Sequence, residues 1–160
     1  MLVTHRPASL IGSAAIAGLL VVGLGACSDE PERDESGQVT EGGEADVMDV
    51  GVGDCLPDSG GTGTISSMEV VPCSETHSAE VYFSYQVPGD TFPGDFSQVS
   101  EQQCTPAFQE FVGMPYDQSA LVYTTLEPTA ESWQAGDREL LCIIADPAGN
   151  VTGSLRGANR

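Results

Sequence analysis

Five cysteines stand in a chain of 160 residues: Cys27, Cys55, Cys73, Cys104 and Cys142. Nothing else in the sequence restricts the fold as strongly. A cysteine pair closes a covalent loop, holds a metal or stays reduced, and the compartment decides which. No two of these cysteines are separated by two or four residues, the spacing from which structural zinc sites are usually built. Cys73-Ser74-Glu75-Thr76-His77 is the nearest approach to a metal pattern.

The N-terminus supplies the compartment. His5 and Arg6 form a short basic start, and Ala8 to Ala26 carries no charge. A charged start, an apolar run and small residues at its end make a secretory signal. An uncleaved membrane helix is the competing reading, since the run sits near the lower length for a span. Leu24-Gly25-Ala26-Cys27 resembles the lipobox of bacterial lipoproteins. That resemblance implies a signal peptide over 1–26, cleavage at Ala26–Cys27 and a diacylglyceryl group on the Cys27 thiol. It places the protein at the cell membrane, lipid-anchored on the extracytoplasmic face, where disulfides persist.

With Cys27 lipidated, four cysteines remain and three pairings are open. Cys55–Cys73 would join neighbouring strands around the glycine-rich loop Asp58-Ser59-Gly60-Gly61-Thr62-Gly63. That leaves Cys104–Cys142. Two disulfides and no metal are the expectation.

Charge removes other functions. There are 24 acids against 5 arginines and no lysine, a net charge of −19. Nucleic-acid binding needs basic clusters, and none exists; electrostatic docking to anionic headgroups is excluded likewise. His5 and His77 are the only histidines. Residues 27–47 read as the lipidated cysteine and a linker. Ser28 to Asp46 holds eight acids, one arginine and one valine. Such a segment buries too little apolar surface to offset chain entropy, so it is expected to be a disordered spacer holding the domain off the bilayer.

Residues 48–160 read as one domain. Cys55 and Leu56 belong to a first strand, and Thr64 to Cys73 to a second. Ala79 to Val87 alternates, with Ala79, Val81, Phe83, Tyr85 and Val87 on one face. Phe96, Val99, Cys104, Ala107, Phe108, Phe111 and Val112 recur at helical spacing, interrupted by Pro106. That proline either starts a second helix or kinks a single one. Ser119 to Leu126 is a strand, Thr129 to Ala135 a short helix ended by Gly136, and Glu139 to Ala145 a buried central strand. Val151 to Leu155 is expected to pair back through the Pro147-Ala148-Gly149-Asn150 turn. The order predicts an α+β fold: a small, mostly antiparallel sheet packed on one main helix.

The motifs then form a series. Gly51-Val52-Gly53-Asp54-Cys55-Leu56 leads to Val71-Pro72-Cys73-Ser74-Glu75, His77 and Glu80-Val81-Tyr82. Cys104, Ala107-Phe108, Phe111-Val112-Gly113, Trp133, Gly136-Asp137-Arg138, Cys142 and Thr152-Gly153-Ser154-Leu155-Arg156-Gly157 follow. The series resembles the septum-formation domain of exported and lipid-anchored actinobacterial proteins, over roughly residues 48 to 157. Pro106 departs from it. The resemblance implies cell-division or envelope context and no particular chemistry.

Candidate binding residues are His77, Trp133, Asp137, Arg138 and Arg156. His77 is either a base or ligand, or a structural side chain bonded to backbone, Glu75 or Glu80. Arg138 and Arg156 fit a carboxylate or phosphate, or local acids. Trp133 is a sugar platform or simply packs on a sheet edge. Catalytic motifs such as H-E-x-x-H and G-x-S-x-G are missing. The expected function is therefore a non-enzymatic envelope lipoprotein acting as an interaction module, monomeric and without cofactor. Its partners would be the membrane, through Cys27, and envelope or division proteins. A cell-wall-modifying enzyme using Asp/Glu and His77, or a small-ligand or cation-binding domain, are the alternatives.

Overall fold

In a computed structural model the described residues are Met1, 30–58 and 65–160. Residues 2–26 of the segment read as a signal peptide lie outside them with Cys27, as does most of the glycine-rich loop. Strands β1 (Glu32–Arg33), β2 (Val39–Glu41) and β3 (Gly43–Asp46) come first, then a 3-10 turn, β4 (Cys55–Leu56), β5 (Ser67–Val70), β6 (Thr76–His77) and β7 (Ala79–Gln86). Helix α1 (Ser97–Val112), β8 (Val122–Leu126), α2 (Ala130–Ala135), β9 (Glu139–Ala145) and β10 (Val151–Thr152) complete the order.

The main sheet is four-stranded, in the order β4-β7-β9-β8, and every pair in it is antiparallel. Its centre is the apolar run at 139–145. A strand buried on both faces carries no polar alternation. Leu140, Cys142 and Ile144 meet Phe108, Phe111 and Val112 of α1. Leu141 and Ile143 point the other way, onto Val39, Ala45, Val50, Met68 and Val70. The expected α+β architecture is thus correct, with one layer added.

That layer corrects the spacer reading. Residues 30–46 form ordered strands rather than a disordered tether. β1 pairs with β2, and β3 pairs with β5 over Gly43↔Val70 to Asp46↔Ser67. The turn between β1 and β2 is built by Asp34, whose Oδ1 accepts from the N–H groups of Ser36 and Gln38. Gly37 supplies the left-handed residue there, at φ 87°. Acids on this arm face water, while Val39, Ala45 and Val50 close the second core. A half-buried ion pair clamps it down. Arg33 donates to both carboxylate oxygens of Asp54, at 2.5 and 2.8 Å, and Asp54 is 1% exposed. The hydrogen bond to Asp54 holds the Arg33 guanidinium above its ordinary value.

Two further expectations change. The single-face alternation of β7 breaks at a register shift between Val81 and Phe83. Val81 joins the arm-side core, whereas Tyr82, Phe83 and Tyr85 pack on the helix side. A bulge inserts one residue and so flips the pattern. The last strand does not return to β9: Val151 and Thr152 pair with His77 and Thr76. Of the two readings of Pro106, the single helix holds: α1 runs through it from Ser97 to Val112.

The disulfides are Cys55–Cys73 and Cys104–Cys142, with Cα separations of 5.2 and 5.7 Å. The first ties β4 to the segment after β5. The second staples α1 to β9. Helix α1 ends at Gly113, φ 84°, and the C-terminal tail satisfies its last carbonyls. Gly157 N–H donates to Phe111 and Asn159 N–H to Val112.

Candidate functional site

Between the N-terminal arm and α2 lies a groove with a volume of about 130 Å³. Its floor is Val47, Ile65, Leu126 and Leu141, and its wall carries Glu127, Asp137 and Glu139. Met48 stands at its lip, 55% exposed. A large apolar side chain left in water beside a concave surface is characteristic of contact sites.

Local sequence positions each wall residue. Thr129 caps α2, accepting from the Ser132 N–H at 3.0 Å, while Ser132 Oγ accepts from the Thr129 N–H. Gly136 ends the helix at φ 108°, turning Asp137 back into the groove wall. Asp137 Oδ2 accepts from Ser132 Oγ at 2.8 Å, and Oδ1 from the Glu139 N–H at 2.9 Å. Glu127 accepts from Thr125 Oγ1 at 2.7 Å, and Glu139 accepts from Ser84 Oγ. All three carboxylates thus receive neutral donors. Among the described residues, ion pairs form elsewhere, at Arg33–Asp54 and Arg160–Asp146. An apolar floor below carboxylates lacking a countercharge suits an aliphatic stem that ends in a cation.

The predicted site residues do not converge. Trp133, Asp137 and Arg138 are neighbours at the Gln86 end of β7. Trp133 is buried with Phe92 and Phe96, and its indole N–H donates to the Asp90 carbonyl. It packs rather than offering a platform. The Arg138 guanidinium lies 3.8 Å from the Trp133 ring and donates to the carbonyls of Trp133, Asp137 and Gly89. It splints the 89–90 loop to α2. Arg156 stacks over Phe111 at 4.5 Å. Only Asp137 of the five lines the groove.

His77 sits beyond the other end of β7, roughly 25 Å of strand away. It is fully buried, with Nδ1 2.9 Å from the Glu75 carbonyl. Buried beside it, Glu80 accepts from Ser154 Oγ and the Leu155 N–H. Glu127, Glu139 and Met48 were missed by sequence reasoning. The Thr129–Ser132 cap could have been read, but nothing local marks which acids the arm would enclose.

Fold and site together define a small, disulfide-stapled α+β module bearing an acid-walled groove. Residues 52–159 match the family described as Septum formation, and the chain belongs to that family. Two membrane proteins of Mycobacterium tuberculosis, each named as uncharacterized, are similar to it. They come from strains CDC 1551 / Oshkosh and ATCC 25618 / H37Rv, and each is 33% identical over 162 residues covering 85% of this chain. This chain spans 35% of each relative's length. No solved structure matches it.

Proposed function

We propose that this chain is a non-enzymatic lipoprotein of the cell envelope, anchored by Cys27 on the extracytoplasmic face and acting as an interaction module in septum formation. The groove carries the reading. Its apolar floor and unpaired carboxylates favour a lysine or arginine side chain of a partner protein. Membership of a septum-formation family and two relatives named as membrane proteins support the envelope setting. A non-enzymatic role is supported by the burial of His77 and its distance from the groove acids. A base must reach the proton it removes.

A full-length fluorescent fusion in dividing cells tests the setting, beside a Cys27→Ala control. Midcell signal that disperses in the control is expected; even peripheral signal would sink the septal role. Cross-linking with an Asp137→Asn, Glu139→Gln variant tests the groove, and an unchanged set of partners would remove it from the proposal. Turnover of peptidoglycan or an ester by the purified chain would overturn the non-enzymatic reading.

A further inference from the structure

His77 is the one buried side chain among the described residues with an unsatisfied polar atom. Its Nε2 has no hydrogen-bond partner. Leaving a buried ring nitrogen unpaired costs free energy, so its surroundings are informative. A ring nitrogen of His77, the Cys55 sulfur and a Glu80 carboxylate oxygen all lie within 4.8 Å of one another. Glu80 is buried, has no cationic partner among the described residues, and faces Cys55 directly across the β4–β7 ladder. Cys73 adds a fourth ligand atom, bonded to the Cys55 sulfur.

We propose that Cys55–Cys73 is a reversible disulfide, and that its reduced form is a zinc site made by Cys55, Cys73, His77 Nε2 and Glu80. Two thiolates, an imidazole and a carboxylate are an ordinary tetrahedral zinc set, and zinc needs its ligand atoms about 3.5–4 Å apart. The supporting bonds are already in place. His77 Nδ1–H donates to the Glu75 carbonyl, which leaves the Nε2 lone pair for the metal. The Leu155 N–H holds Glu80 Oε2 and the Ser154 hydroxyl holds Oε1, which fixes the carboxylate and leaves each oxygen a second lone pair for coordination.

Access separates the two disulfides. Cys73 is half-buried and is followed by exposed Ser74, Glu75 and Thr76, whereas Cys104 and Cys142 are both fully buried. An external dithiol can therefore reach Cys73 alone. Its thiolate attacks the Cys73 sulfur, the disulfide bond breaks, and the electron pair leaves on Cys55. The second thiol of the reductant then attacks its partner sulfur, closes its own disulfide and releases Cys73. Two electrons pass to the chain, and the two thiol protons go to solvent when zinc takes the thiolates.

The test treats the purified chain with dithiothreitol without oxygen, adds zinc or cobalt, and maps free thiols by alkylation and mass spectrometry. The expected result is alkylation at Cys55 and Cys73 only in the absence of metal. One zinc per reduced chain, none per oxidised chain, and a thiolate charge-transfer band with cobalt complete it. His77→Gln should weaken zinc at least about tenfold. Free Cys55 and Cys73 thiols that bind no zinc would overturn the proposal. So would a cobalt spectrum lacking thiolate bands, which needs no variant, or a Cys55–Cys73 bond that resists reduction in the folded chain.

Discussion

At Gly113 an added Cβ would lie 2.6 Å from Oδ1 of Asn159, on a backbone at φ +84°. The asparagine tip can move aside, but the left-handed backbone remains unfavourable for any side chain. Gly113→Ala should therefore cost about 1–2 kcal/mol, read as a lower urea midpoint. An unchanged midpoint would mean that Gly113 is not held in the left-handed conformation. Arg33→Ala tests a different cost, because it leaves the Asp54 carboxylate buried with only the Gly51 N–H as a near donor. A loss of about 2–3 kcal/mol is expected. Asp54→Asn combined with Arg33→Ala should recover part of it, since the stranded charge is gone. Two of the candidate residues, Trp133 and Arg138, are engaged in packing. Besides their local contacts they donate to the 89–90 carbonyls, more than forty positions away, and no window around them shows those contacts.

At the scale of elements, the arm is the strongest test. Removing residues 30–50 uncovers Val81, Leu141 and Ile143 while leaving the family-matching residues 52–159 intact. Lost burial of Val39, Ala45 and Val50 alone should cost about 4 kcal/mol, a large share of a small domain's stability. Weak cooperativity and dye binding to exposed apolar surface are expected. A sharp, unshifted melt would show that the arm is dispensable. Much of the α+β core was readable beforehand. The run at 139–145 has no polar alternation and so had to be central, and reading the N-terminus as an export signal made the even cysteine set a disulfide set. The arm was not readable from composition, because its eight acids are what a solvated outer face looks like. Only Asp34 and Gly37, the turn residues, hinted at a hairpin. The bulge in β7 was equally hidden: alternation through Val87 looked perfect, and the slip follows from pairing with β9.

For the molecule as a whole, charge sets the response to solution conditions. Asp34, Asp95 and Asp146 are held below their ordinary value of 3.8. The leading causes are the Ser36 hydroxyl for Asp34, the Ser97 N–H for Asp95 and the Ala148 N–H for Asp146. A carboxyl lowered in the folded state stabilises it above the unfolded value. That contribution fades as pH falls through the folded value. Thermal stability should accordingly hold from neutral pH down to about 4 and drop below it. A net charge of −19 adds self-repulsion at neutral pH, so moderate salt should raise the melting temperature. A fall with added salt would contradict this.

The ordered arm also sets a distance. Strand β1 begins at Glu32, five residues after Cys27. With Cys27 acylated as proposed, five residues span at most roughly 17 Å, against a body roughly 35 Å across. The module would not fish through the periplasm or wall on a long line. It would stay close to the leaflet, diffusing in two dimensions. Any partner would have to present its cationic side chain within one domain diameter of the lipid.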